Sequence, residues 1–348
     1  MFFNTSFFIL LHLCSMNVSY SFIIPVYNRP EEIDELLASL VQQNFQKHFE
    51  VVIVEDGSTE SSKHIVNKYS DKLTISYYYK ENSGPGDSRN YGMEKAKGNY
   101  FLILDSDCVL PNEYLSEVDK TLTSNYVDCF GGPDAAHESF SDLQKAINYV
   151  MTSFLTTGGI RGREKSIDKF QPRSFNMGLS KKAFEATKGF GKIHPGEDPD
   201  LTIRLWKLGF DTRLISNAFV YHKRRISWRK FYQQVQKFGK CRPILNYWHP
   251  DTKKLTYWFP TAFVFFIFFA VSASAIGFHG VSYLLMIYLG VILVDASLKN
   301  KSVLIGFQAV LALFIQFFGY GLGFLEATFK IALLGKKPED AFPYLFFK

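Results

Sequence analysis

Apolar positions along this 348-residue chain follow two different rhythms. As far as about residue 256, short apolar runs alternate with stretches in which apolar residues recur every three or four positions. The short runs fall at 21–26, 51–54, 73–79 and 100–104 and are rich in β-branched and aromatic residues. They predict strands, and the helical patterns between most of them predict a parallel sheet covered by helices. Ile33, Leu36, Leu37 and Leu40 fall at i, i+3, i+4 and i+7 behind Pro30 and two glutamates, which marks the first helix. Further helices are expected over 58–69 and 86–97, the latter stopped by Gly98. The stretch 130–173 is rich in Gly, Ser and Thr, with one helix expected near 143–154, and reads as an acceptor side. Beyond it come a strand over 174–179, a helix ending at Gly189-Phe190-Gly191, and a helix opened by Gly196-Glu197-Asp198-Pro199. Leu201, Leu205 and Leu208 share one face of that last helix, and Gly209 closes it.

The second rhythm begins near Trp258, where apolar blocks almost free of charge run to Leu334. Segment 258–278 is long enough to cross a hydrocarbon layer of about 30 Å, and 281–296 is barely so. The longer segment 303–334 carries Gly319, Gly321 and Gly323, which predict a hairpin or a partly interfacial helix. The expected division is an N-terminal extension over 1–19, an α/β domain with a basic juxtamembrane end over 20–256, a membrane region of two to four helical segments over 257–334, and a tail over 335–348. The apolar run 7–14 is too short to span a bilayer and lacks a preceding cation, so translation starting at Met16 is an expectation.

Charge changes this picture in one place. The net charge is +6, and much of the excess lies between Arg204 and Lys254. Lys223, Arg224, Arg225, Arg229, Lys230, Lys237, Lys240 and Arg242 precede the apolar blocks, which favours a membrane surface over nucleic acid; a solvated positive face is the alternative. The positive-inside rule puts this stretch, and Lys299, Asn300 and Lys301, on the cytoplasmic side. A single crossing by the third segment would leave Lys330, Lys336 and Lys337 outside, so that segment is expected to return or to lie in the interface. Cys14, Cys108, Cys129 and Cys241 stand too far apart for a zinc site or a disulfide scaffold, which suggests a reducing compartment.

Ligands of open α/β sheets bind beyond the carboxyl ends of the strands, where this chain places polar residues. Asp105 and Asp107 follow a buried strand at i and i+2 and offer hard oxygen ligands to Mg²⁺ or Mn²⁺; a turn cap is the alternative. Asp56 either meets a nucleoside or forms an Asp-Gly turn with Ser58 as cap. Gly84-Pro85-Gly86-Asp87-Ser88-Arg89-Asn90 leads into a helix whose N-terminus favours an anion, without matching a Walker loop or a dinucleotide fingerprint. Glu197 and Asp198 stand side by side at a helix start, either as general base and its neighbour or as a cap ahead of Pro199.

In order and spacing, Pro25-Val26-Tyr27-Asn28, Glu55-Asp56-Gly57-Ser58, 82–90, Asp105-Ser106-Asp107, Asn176-Met177-Gly178, Gly189-Phe190 and Gly196-Glu197-Asp198 resemble family 2 glycosyltransferases of the GT-A fold. The resemblance covers about 20–225. It implies an α/β domain with a mostly parallel sheet and helices on both faces, followed here by C-terminal transmembrane helices. It also implies nucleoside contacts from Pro25, Tyr27, Asn28 and Asp56, and donor contacts from Gly84, from Arg89 near the diphosphate and from Asp105. Asp105 and Asp107 would bind Mn²⁺ or Mg²⁺, with His222 as a further ligand. Asp198 would be the base of an inverting displacement and Glu197 would orient the acceptor. The implied donor is a nucleotide sugar, most simply a UDP-sugar, and the acceptor a glycan or a lipid-linked sugar. The Gln-x-x-Arg-Trp motif of processive synthases is missing around Trp228-Arg229-Lys230, which favours single addition. The implied protein sits in a bacterial inner membrane, among membrane lipids, with its catalytic domain facing the cytoplasm. Two rivals are a metal-dependent nucleotidyltransferase, which lacks its Gly- and Arg/Lys-rich loop here, and an inactive membrane-bound glycan-binding protein.

Overall fold

The computed structural model describes residues 18–135, 140–157, 169–222 and 227–347. Cys14, Met16, Lys223, Arg224, Arg225 and part of the stretch 130–173 lie outside the described residues. The chain divides into two units, Met1–Pro133 with Phe170–Gly189 and Arg204–Val220, and Asp134–Lys169 with Phe190–Ile203 and Tyr221–Lys348.

The first unit is built on a seven-stranded sheet. Its strands are β1 (Tyr20–Val26), β2 (Phe49–Asp56), β3 (Thr74–Lys80), β4 (Tyr100–Leu104), β5 (Cys129–Gly131), β6 (Asn176–Ser180) and β7 (Thr212–Leu214). They lie in the order β3-β2-β1-β4-β6-β5-β7. The first four are parallel, with Ile23 opposite both Val52 and Ile103. Only β6 is reversed, against β4 on one side and β5 on the other. The helices α1 (Pro30–Val41), α2 (Lys63–Asn67), α3 (Pro85–Lys95) and α4 (Tyr114–Ser124) pack on it. Phe22, Ile24, Val51 and Ile53 meet the apolar faces of α1 and α4 in one core. Ile23, Val52 and Val54 point the other way, toward α3, so close to Gly92 that a Cβ there would lie 2.8 Å from Ile23. Burial on both faces explains why these strands read as continuous apolar runs.

The helix expected over 58–69 is reduced to α2. Ser58 is held by Glu55 and Asn28, and the Ser62 amide donates to Glu55 at 2.8 Å, so the chain ahead of α2 is pinned to the end of β2.

The second unit is helical: α5 (Asp142–Thr152), α6 (Phe154–Thr157), the start of α7 (Glu197–Lys207), α8 (Trp228–Trp248), α9 (Phe259–Ala275), α10 (Gly280–Asn300) and α11 (Val303–Thr328). A capping box between Ser141 and Gln144 starts α5. On α7, Leu201 and Leu205 are buried but Leu208, one residue past the helix, is exposed. Among the described residues, three helices are long and apolar enough to cross a membrane: Leu255–Ala275, Gly280–Asn300 and Val303–Leu333.

The glycines expected to bend the third segment do not bend it, since α11 is continuous through Gly319, Gly321 and Gly323. They are points of close approach. A Cβ on Gly323 would lie 2.4 Å from the Gln236 carbonyl oxygen, and one on Gly321 2.8 Å from that of Pro260. On the facing helix, a Cβ on Gly239 would lie 2.2 Å from the Tyr320 carbonyl oxygen. Small residues here let backbones approach, as is common between membrane helices. Part of the basic stretch also turns inward. Lys240 and Arg242 are buried, the first paired with Glu326 at 2.9 Å and the second stacked 4.1 Å over Tyr257. Arg229, Lys230 and Lys237 are exposed.

Candidate active site

The carboxyl end of β2 is a buried acidic pair with separate duties. Glu55 accepts from Ser58, from the Ser62 amide and, at 3.0 Å, from the Tyr77 hydroxyl. Burial pushes the Tyr77 hydroxyl above its ordinary pKa, and Glu55 adds to the shift, so the phenol stays a donor. Asp56 holds the next crossover. Its Oδ1 accepts from Lys80 Nζ at 2.9 Å and from the Ser83 amide at 3.0 Å, and its Oδ2 accepts from the Gly84 amide at 3.0 Å. Gly57 makes the turn possible, because its φ is +69° and a Cβ would stand 2.6 Å from the Asn82 nitrogen. Lys80 Nζ also lies 3.2 Å from Asp87 in the first turn of α3.

At the end of β1, Asn28 adopts a φ of 51° and joins two loops. Its side-chain oxygen accepts from the Thr59 and Glu60 amides, at 2.8 and 3.1 Å. Tyr27 beside it is exposed, whereas Pro25 is buried in the strand. Arg29 reaches across to the end of β4, where its Nη1 donates to Asp107 Oδ2 at 3.1 Å and to Glu32 at 3.3 Å. Asp105 accepts from Arg89 Nη2 at 2.7 Å, and Arg89 is buried on α3. The Asn176-Met177-Gly178 triplet is a packing device. Asn176 accepts from the Tyr114 hydroxyl and donates to the Ala218 carbonyl, both at 2.8 Å, and a Cβ on Gly178 would meet the Phe130 ring at 2.0 Å.

In the second unit, the carbonyl of Gly196 accepts from the Asp200 amide at 3.1 Å, so Gly196 caps α7 and Asp198 lies inside the first turn. The cap reading of Asp198 therefore does not describe this helix. The acidic first turn of Glu197, Asp198 and Asp200 complements the helix dipole. Glu197 is buried and lies 3.0 Å from His194 Nδ1. Asp200 and His249, both buried, pair at 2.9 Å. Gly196 has a φ of +123°, and a Cβ there would meet Cys241 at 2.2 Å.

Residues 21–187 match the model of glycosyl transferase family 2. They form a family 2 glycosyltransferase domain. The chain is similar to the poly(ribitol-phosphate) β-N-acetylglucosaminyltransferase TarS of Staphylococcus aureus, 38% identical over 114 residues, or 32% of this chain and 20% of that one. It is 40% identical to a poly(ribitol-phosphate) β-glucosyltransferase of Bacillus spizizenii over 150 residues, 40% of this chain and 24% of that one. The matches thus span a quarter or less of those relatives. In fold it resembles a mannosyltransferase from Pyrobaculum calidifontis solved with GDP-mannose and Mn²⁺, with a TM-score of 0.59, 15% identity and coverage of 84% of this chain and 86% of that one. The fold is GT-A-like, as the motif order implies.

In this family 2 domain, Pro25, Tyr27, Asn28, Asp56, Gly84, Arg89, Asp105 and Asp107 all belong to the first unit, at or just beyond the ends of β1, β2 and β4 or at the start of α3. Glu197 and Asp198 belong to the second unit. His222 ends a short strand, Val220–His222, and its side chain lies outside the described residues. Sequence reasoning passed over Arg29, Lys80, His194, Asp200 and His249. No motif marks them, and only the fold shows that Arg29, Lys80 and His194 each face a carboxylate and that Asp200 and His249 face each other. Among the described residues no group of three or more His, Cys, Asp or Glu gathers around one point. Asp105 and Asp107 still suit Mg²⁺ or Mn²⁺, which usually take one or two carboxylates and complete their shell with substrate phosphates and water.

Proposed function

We propose that this chain is a membrane-anchored, inverting glycosyltransferase that adds single sugars from a nucleotide-diphosphate donor, with UDP as the expected nucleotide, to a glycan or lipid-linked acceptor. The observation that carries the reading is the set of strand-end carboxylates, Asp56, Asp105 and Asp107, each beside a cation, at the sheet edge of a family 2 domain. Tyr27, Asn28 and the loop ordered by Asp56 receive the nucleoside. Asp105 and Asp107 would hold a divalent cation, which when bound supplies positive charge to the departing diphosphate. Arg29, Arg89 and Lys80 supply positive charge to the same region.

In the displacement, the acceptor oxygen bonds to the sugar's anomeric carbon as the bond to the diphosphate breaks. The nucleoside diphosphate leaves with the bonding electrons, and Asp198 takes the acceptor's proton. Glu197, oriented by His194, positions the acceptor. The relatives bear β-transferase names, and making a β-linkage from an α-linked donor inverts the anomeric centre. The apolar helices support a membrane anchor, with the domain on the cytoplasmic face of a bacterial inner membrane.

Asp198→Asn tests the reading. The amide is nearly isosteric but cannot take a proton, so transfer at saturating donor should fall ~10²–10⁴-fold with the melting temperature nearly unchanged. Near wild-type release of nucleoside diphosphate by a folded Asp198→Asn protein would remove Asp198 from the mechanism.

A further inference from the structure

Among the described residues three helices are long enough to cross a bilayer. Of these, α11 packs along α8 as well as against α9, where Thr261 donates to the Gly321 carbonyl, and α10, where Ile292 and Ala296 meet Ile305 and Ala309. With the turn that follows, α11 runs over Val303–Leu333, 31 residues, about 46 Å at 1.5 Å per residue. This exceeds a hydrocarbon thickness of about 30 Å. Helix α8 follows it nearly from end to end. Phe231 packs in the cluster of Ile305, Ala309 and Leu313, Val235 meets Gly319, Gln236 meets Gly323, and Cys241, Ile244 and Leu245 pack with Ala327 and Ile331. Yet α8 exposes Arg229, Lys230, Gln233 and Lys237 on its other side. A helix carrying α8 across the membrane would bury those groups in hydrocarbon, at roughly 2.5–3.5 kcal/mol for each charge at the centre.

Two more observations point the same way. The chain beyond α11 returns to the segment ahead of Glu197. Ile193 bridges to Phe346, the His194 amide donates to the Leu345 carbonyl at 2.8 Å, and the Phe347 amide donates to the Lys192 carbonyl at 3.0 Å. Phe342 and Leu345 are fully buried there. Lysines also flank both ends of α11, Lys299 and Lys301 before it and Lys330, Lys336 and Lys337 at and after its end. A crossing helix would place one of these groups on the side that the charge rule disfavours.

The side of α11 away from α8 is apolar and open. Leu304, Phe307, Leu311, Leu322, Phe329 and Leu333 are exposed at spacings that keep one helical face. We propose that α11 lies along the membrane rather than across it, with this stripe seated among acyl chains just beneath the headgroups and α8 toward the water. The anchor that crosses is then the α9–α10 hairpin alone. This inference rests on the membrane reading of α9 and α10, and its partner is the lipid surface itself.

The test attaches a bimane fluorophore to Leu304→Cys, Leu311→Cys, Leu322→Cys and Leu333→Cys of the full chain, in vesicles whose lipids carry bromine either high on the acyl chain or near its end. All four positions should be quenched alike by the shallow bromines and little by the deep ones. Strong deep quenching at 311 and 322, flanked by shallow positions at 304 and 333, overturns the inference in favour of a crossing. Protection of all four from both lipids, with Leu284→Cys on α10 quenched, also overturns it and points to a second copy over the stripe. If Leu284→Cys is not quenched either, the membrane reading itself fails. Alkaline phosphatase fused after Lys348 or inserted at Gly277 should report opposite sides of the membrane, and reports from the same side overturn the inference independently.

Discussion

The sheet edge and the apolar helices both keep carboxylates out of full solvent, but they neutralise them differently. At the sheet edge, Asp56, Asp105 and Asp107 take their cations from Lys80, Arg89 and Arg29, which are 24, 16 and 78 residues away in sequence. In the apolar helices, Asp295 takes Lys299 and Glu326 takes Lys330, each four positions on, and only Lys240 comes from another helix. A local pair forms as soon as its helix does. A distant pair exists only in the folded state, where the fold alone holds each cation beside its carboxylate. Charge at the sheet edge is thus balanced by the tertiary fold, whereas charge in the helices is balanced mostly within the helix that carries it.

Four substitutions press on this contrast, the largest effect first. Lys80→Met leaves Asp56 buried without its cation, and chemical denaturation should show about 3 kcal/mol lost. Asp107→Ala should weaken nucleotide-sugar binding in Mn²⁺ by about 100-fold, at least the upper end of what losing an outer-shell partner costs a metal site. Calorimetry that finds unchanged affinity and unchanged metal dependence would take Asp107 out of the metal site. Gly323→Leu forces a side chain against the Gln236 backbone and should lower the midpoint of detergent-solubilised protein by the equivalent of about 1–3 kcal/mol. Lys299→Ala should be nearly silent, at about 0.3–0.5 kcal/mol, because Asp295 keeps the Tyr149 hydroxyl at 2.7 Å. A loss there as large as that of Lys80→Met would end the contrast.

The same distinction decides what was legible in the sequence. Strands β1 to β4 and helices α1 and α3 were readable because their apolar periodicity is a local property, and sheet burial on both faces only strengthens it. The strand-end motifs were readable as a set because the fold places strand ends at ligands. The partners of those carboxylates were not. Arg29 and Lys80 are ordinary surface-type residues in sequence, and nothing local says that Arg29 faces Asp107. Asp200 and His249, 49 residues apart, were hidden for the same reason. Gly319 and Gly323 were read by their conformational freedom, but a neighbouring backbone, invisible in a single chain segment, had decided their role. Of the two readings left open for Asp198, the cap fails because Gly196, two residues earlier, caps α7 and offers no side chain to recognise.

The pairing of Ile193 and His194 with Leu345 and Phe346 also has a meaning in time. A ribosome adding ~5–20 residues per second needs roughly 8–30 s for the stretch of about 150 residues between those partners. Strands β1 to β4 are complete within the first part of synthesis, whereas the segment ahead of Glu197 waits for residues 345–347 before its backbone partners exist. During that interval the nascent chain can already carry strands β1 to β4 without the finished segment ahead of Glu197. The order of synthesis itself therefore leaves the segment ahead of α7 unfinished until the apolar helices have been made.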